Sequence, residues 1–313
     1  MGMARTNKRM TDSMMPKRLA ALAICLGGLS ILLATTVATA KPARLQPTRI
    51  ASIGDSITRA FDSNVLLDNP SESWVNGYFG FWQWLLGFEN VNSHNQRADS
   101  AFGVNANVNG AVNGADMDDM DVQAASILSN TPYYVTVELG GNDICQDSIP
   151  QVPTPTDYVY DYIDGLIVLD PALGGGSGGL TGGATVFTAS VPDIKQLYDV
   201  GKDQTGAFGL DCETIWLGTF IGFPCGSMLS PLNTEADRLA LQAINLQYNQ
   251  MLDLVSGIAN DLSTSVYFDF TWSVWNHQFQ GADISSIDCF HPSSDGQRVL
   301  SSQTWADGPF SAF

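Results

Sequence analysis

Positive charge is what this sequence has least of. Its 313 residues include only 14 Lys and Arg against 32 Asp and Glu, a formal net charge of −18. A surface of that sign repels nucleic acid and anionic membranes, since both are bound through clustered Lys and Arg. Histidine is scarcer still, limited to His94, His277 and His291, and cysteine numbers five with no C-x-x-C among them. A zinc site built from Cys and His therefore lacks ligands at the needed spacing. There is no long Pro/Ser linker and no internal repeat, which argues for one large domain. The low-complexity stretch at 174–183 is too short to separate two.

A membrane-spanning run is also hard to find. The apolar run at 19–37 follows a basic start of Arg5, Lys8, Arg9, Lys17 and Arg18 and precedes Ala38-Thr39-Ala40. Basic, apolar and small-x-small segments in that order mark an export leader, cut before Lys41. The run approaches the ~20 residues that span a bilayer, but Gly27-Gly28 and Thr35-Thr36 dilute it. Residues 1–40 are thus expected to be a signal peptide, and 41–313 a single domain, secreted or periplasmic, with no stable membrane insertion. Cleavage removes five of the 14 basic residues and one of the 32 acids, leaving a net charge of −22. Cys145, Cys212, Cys225 and Cys289 remain. An even number in an exported chain reads as disulfides, and four cysteines allow three pairings. The favoured one joins Cys212 to Cys225, thirteen apart, and holds the apolar 215–223 either at the surface, facing an acyl chain, or in a core strand. Cys145 and Cys289 are then left to pair.

What is present is an alternation of strand and helix. Residues 49–53, 104–108, 133–139, 185–189 and 265–270 read as strands; 74–86, 118–129, 158–169, 235–262 and 295–303 read as helices. Such alternation argues for a parallel sheet covered on both faces, with its site at the carboxyl ends of the strands.

Four short segments fall at such ends. Gly54-Asp55-Ser56-Ile57 follows the first strand, where a serine at a tight turn exposes its hydroxyl and turns its own N–H toward a developing oxyanion. Taken alone, Ser56 reads more readily as a helix cap than as a nucleophile. Asn109 to Ala115 contains Gly114, whose backbone N–H can approach a substrate oxygen unobstructed. Glu138-Leu139-Gly140-Gly141-Asn142-Asp143 presents the Asn142 amide as a further donor. Asp288-Cys289-Phe290-His291 sets an acid three residues before a histidine, which can fix the imidazole so that its other nitrogen takes the serine proton.

These four segments, in this order, resemble the blocks of the SGNH (GDSL) hydrolase family. Gly140 to Cys145 and Asp288 to Pro292 are most similar to its phospholipase B-like branch, and the resemblance runs from Ile50 to about Leu300. It implies a flavodoxin-like three-layer α/β/α sandwich around a mainly parallel five-stranded sheet. It also implies hydrolysis of lipid or small acyl esters without metal or cofactor. Ser56 would be nucleophile, His291 base and Asp288 its orienter, with oxyanion donors from Ser56, Gly114 and Asn142. A carbohydrate deacetylase of the same family, or an acidic binding protein with a decayed site, are the alternatives. Ile57 stands where leucine is commonest, and 198–231 matches no family block.

Other features read as structural. Gly175-Gly176-Ser177-Gly178-Gly179 satisfies G-x-S-x-G, but it precedes a strand where a nucleophile elbow must follow one. Asp116, Asp118, Asp119 and Asp121 suit a helix start better than a calcium loop. His94 and His277 lack a nearby Asp block, and Phe79, Phe81, Trp82 and Trp84 are expected in the core or the wall of a cleft.

Overall fold

Five short runs rich in β-branched and aromatic residues pair into one sheet in the computed structural model, which describes residues 40–217 and 225–312. The expected leader, apart from Ala40, lies outside the described residues. The strands are β1 (Arg49–Gly54), β2 (Ala106–Asn109), β3 (Tyr134–Glu138), β4 (Thr185–Ala189) and β5 (Tyr267–Thr271). They run parallel in the order β2-β1-β3-β4-β5. Parallel strands need crossovers, and these supply the covering helices.

Alternate side chains go to opposite faces, and both faces are buried. Ala51 and Ile53 of β1, Val135 and Val137 of β3 and Val186 of β4 join one core. It is covered by α3 (Met120–Leu128), α4 (Pro155–Leu169) and α7 (Glu235–Leu262), the last opened by a Thr234/Asp237 capping box. Ile50, Tyr134, Phe187 and Ala189 point the other way. They meet Ala98 of α2 (His94–Phe102) and Leu300 and Trp305 of α8 (Ser294–Asp307). The result is the three-layer sandwich. Its strand order reverses between β2 and β3, on either side of β1, and a ligand crevice opens at the carboxyl ends of such a switch point.

The helix expected over 74–86 is mostly absent. Trp74 and Val75 dive into the second core as irregular chain, and a Cβ on Gly77 would strike the Ser73 and Ser71 carbonyls. Only Phe81–Leu85 turns helical, forming α1. Its aromatics are not core or wall: Phe81, Trp82 and Trp84 are all well exposed and Phe79 partly so. Two helices escaped the sequence reading, α2 because its residues are polar and α5 (Ile194–Gly201) because it is short.

All four cysteines are bridged, but as Cys145–Cys225 and Cys212–Cys289. The expected pairing is corrected by packing between segments distant in sequence. Ser227 donates from its N–H to the Gln146 carbonyl and from its hydroxyl to that of Ile144, setting Cys225 beside Cys145. Trp216, buried at the end of α6 (Cys212–Trp216), donates through Nε1 to the Cys289 carbonyl and carries Cys212 to that loop. Separations of 80 and 77 residues make each bridge worth on the order of 4–5 kcal/mol in the chain-entropy model. Ile215 and Trp216 close the packed helix α6, and the rest of the apolar stretch, from 218 on, lies outside the described residues.

Candidate active site

The turn after β1 is built around Gly54. A Cβ there would lie 2.3 Å from Thr58 Oγ1 and 2.9 Å from the Glu138 carbonyl, so only glycine lets β1 approach β3 so closely. Gln123 of α3 secures both backbone groups of Gly54, its Oε1 accepting from the N–H and its Nε2 donating to the carbonyl. Asp55 Oδ1 then accepts the Ile57 N–H at 2.8 Å, an Asx-type turn. No helix follows, so Ser56 caps none; Phe61 N–H closes onto the Ser56 carbonyl at 2.9 Å. Ser56 is 8 % exposed, at the carboxyl edge of the sheet.

The Asp288 segment arrives from the far end of the chain. Asp288 is buried and its Oδ1 accepts the N–H groups of Phe290 and His291 at 2.9 and 3.0 Å. Its Oδ2 bonds His291 Nδ1, and His291 Nε2 lies 2.7 Å from Ser56 Oγ. Asp288 draws the ring proton to Nδ1, which leaves Nε2 as the acceptor for the serine hydroxyl. Phe61 and Phe290 flank the ring, each with its centroid 5.2 Å away, and shield the relay from water. Burial alone would lower the His291 pKa, but the Asp288 carboxylate overrides it and the net shift is upward. Burial likewise works against the ionised form of Asp288, yet the imidazole and the backbone N–H groups hold its pKa below the ordinary 3.8.

Asn142 sits in the one-turn helix Gly141–Ile144 after β3. Gly140 takes φ +126° there, with a Cβ position blocked by Tyr158 and Val191. The Asn142 Nδ2 donates to Ala115 O at 2.9 Å and to Asp55 Oδ2 at 3.2 Å. Those bonds bring it against the Ser56 turn and against the residue after Gly114, itself at φ +74°. The structure thus gathers Ser56, Asp288, His291, Gly114 and Asn142 at one edge.

It also places two acids there for which sequence reasoning assigned no role. Asp55 and Glu138 end neighbouring strands in the register Gly54↔Glu138, and both are buried. Burial pushes Asp55 up to about 7, and Glu138 is raised well above its ordinary value by burial and by the adjacent Asp55. Two buried carboxyls so close cannot both ionise cheaply, and Asp55 is the one that the Asn142 amide meets. The signal was in plain view: both residues lie inside quoted segments.

The remaining expectations resolve as structure. Ser177 is exposed in the glycine loop ahead of β4. Asp116 caps the helical turn Met117–Asp119 and Asp121 stands in the first turn of α3. His94 is buried, bonded to Tyr134 Oη and Thr304 Oγ1, and burial lowers its pKa to about 3, so it stays neutral. His277 has an acid partner after all: its Nε2 lies 2.9 Å from Asp283 Oδ2 and its Nδ1 3.0 Å from Gln303. That pair is separate from Ser56, whose bond is to His291.

A family model described as GDSL-like Lipase/Acylhydrolase matches residues 50–304. No curated protein matches the chain. Solved structures that align with it include a variant of Axe2, an acetyl xylan esterase from Geobacillus stearothermophilus, at 13 % identity and TM-score 0.46. That alignment covers 86 % of this chain and 96 % of the other. TesA aligns at 15 % identity and TM-score 0.42, covering 82 % and 96 %. LAE5, an alpha/beta hydrolase from the metagenome of Lake Arreo, Spain, aligns at 14 % and 0.40, covering 86 % and 98 %.

Proposed function

The chain belongs to the GDSL-like lipase/acylhydrolase family, and on that premise we propose that it is an exported serine hydrolase of carboxylic esters. The observation that carries the proposal is the unbroken relay from Asp288 through His291 to the Ser56 hydroxyl. Ser56 Oγ attacks the ester carbonyl while its proton passes to His291 Nε2. The alcohol leaves with that proton, and the acyl group stays on Ser56. Water then attacks the acyl-enzyme, giving a proton to Nε2, and the acid departs as Ser56 regains its hydrogen. Asp288 stabilises the imidazolium at each stage. Support for export comes from the leader-like residues 1–40 and from two disulfides, which persist in oxidising compartments. Among the described residues no helix is long and apolar enough to cross a membrane. Labelling by a fluorophosphonate, lost when Ser56 is replaced, tests the assignment directly; label on another serine overturns it.

The oxyanion would rest among the N–H groups of Ser56 and Gly114 and the Asn142 amide. Both Asn142 hydrogens are engaged. The longer contact, to Asp55, is the weaker one to exchange for a charged oxygen that forms only in the transition state. Asn142→Ala is therefore expected to lower kcat by about 10²–10³ with KM little changed. A loss confined to KM would mean that Asn142 holds substrate and transition state alike.

The pH dependence follows from His291. The base works only when neutral, so kcat/KM is expected to rise with pH, with a midpoint above the ordinary 6.5 because Asp288 favours the charged ring. The stability from this pair runs the opposite way. It is fully present below the unfolded value of 6.5 and lost as pH climbs through the raised folded value. A pH–rate profile beside thermal melts at each pH checks both, and a profile that falls across this range would refute the role of His291.

A further inference from the structure

Nine residues after Ser56 begins a feature that the ester-hydrolysis reading leaves unused. Leu66, Leu67, Phe81, Trp82, Trp84 and Leu86 are 63–69 % exposed. Single exposed apolar residues are ordinary, but a contiguous cluster marks a surface for contact. These are contiguous. Asn64 Nδ2 donates to the Gly87 carbonyl at 3.1 Å, joining the two loops. The fully buried Glu72 carboxylate locks them side by side, accepting from Ser63 Oγ, Asn64 Nδ2, the Glu89 N–H and Ser294 Oγ. Burying a carboxylate is costly unless such donors surround it, so holding two oily loops together is what this acid does. The platform also borders the site. Asp62 N–H and the Leu67 carbonyl, with Asp62 Oδ1 and the Leu67 N–H, fasten loop 62–67 directly behind Phe61, the residue packed on His291.

Resting on the ester-hydrolase reading, we propose that loops 65–67 and 78–86 dock the protein onto the surface of a lipid aggregate with net-neutral headgroups, from which the ester reaches Ser56. Charge chooses this occupant. Residues 73–88 contain no charged side chain, within a protein of net charge −18. Such a surface is repelled by anionic lipid, and two copies meeting through this face would bring their negative charge together. Tryptophan pairs an apolar body with an N–H donor and settles at lipid–water boundaries. Trp82 and Trp84 suit that place better than they suit water.

The test uses the full chain in a Ser56→Ala background, so that lipid is bound without being consumed. Its flotation with phosphatidylcholine vesicles is compared with flotation on phosphatidylglycerol vesicles and with a Leu66→Ser/Trp82→Ser/Trp84→Ser variant. The parent is expected to bind phosphatidylcholine better than phosphatidylglycerol. The triple variant should bind roughly tenfold less or weaker, with unchanged melting. With Ser56 present, the triple variant should turn over soluble p-nitrophenyl acetate as the parent does. Equal flotation of parent and triple variant, or no flotation of the parent, overturns the proposal. So does a parent that instead forms dimers the triple variant cannot form. Vesicle binding without any ester turnover would sink the hydrolase reading and leave the platform standing.

Discussion

Ser56→Ala is expected to reduce kcat for p-nitrophenyl esters by 10³-fold or more while the fold stands, a magnitude drawn from triad removals elsewhere. The chemical reason is the loss of the only atom that bonds to the acyl carbon. The structural reason for an intact fold is that the Ser56 hydroxyl meets His291, and its removal leaves an imidazole that retains its bond to Asp288. The turn itself rests on Gly54, Gln123 and the Asp55 carboxylate. Residual activity should come from the oxyanion donors alone. A Ser177→Ala variant is the control: death of that enzyme and survival of Ser56→Ala would move the site to the glycine loop.

Asp288→Asn should be nearly as damaging, about 10⁴-fold in kcat by analogy with the equivalent exchange in a serine protease. Its Oδ1 can go on accepting the Phe290 and His291 N–H groups, so the loop keeps its shape. The group facing His291 Nδ1 becomes an NH2, which forces the ring proton to Nε2 and leaves nothing to accept the serine hydrogen. The same exchange removes the main cause that raises His291, so the midpoint of the pH–rate profile should move down. Asp288→Ala, which allows the ring to turn, separates tautomer from charge. An unshifted midpoint in Asp288→Asn would show that another acid, Asp55 or Asp62, sets the basicity of His291.

Much of this site could be read before any coordinates, because Ser56 and Asn142 lie within a few residues of a strand end and Asp288 and His291 are three apart in a loop, so local turn chemistry announces them. Strand 185–189 and helix 235–262 were equally plain, one a buried β-branched run and the other capped and long. The failures share a cause. Residues 74–86 read as an aromatic-rich helix, yet Trp74 obeys the Gln297 side chain of α8, which accepts its N–H from 223 residues away. The disulfide pairing obeys Ser227 and Trp216, and the partners of Glu72 lie at 63, 64, 89 and 294. Contacts at such range leave no periodicity in the chain, so composition alone put Trp82 and Trp84 inside when a buried acid had built them a place outside.

The crossed order of the two bridges has a bearing on what a protease can do to this molecule. Cys145 and Cys212 precede the stretch 213–224, while their partners Cys225 and Cys289 follow it. A single cut anywhere in that stretch divides the chain into one half with Ser56 and Asn142 and another with Asp288 and His291. Both bridges span the cut. The nicked product is a two-chain molecule stitched twice, with Ser56 and His291 on different polypeptides yet still held at one sheet edge, and it comes apart only where thiols are abundant.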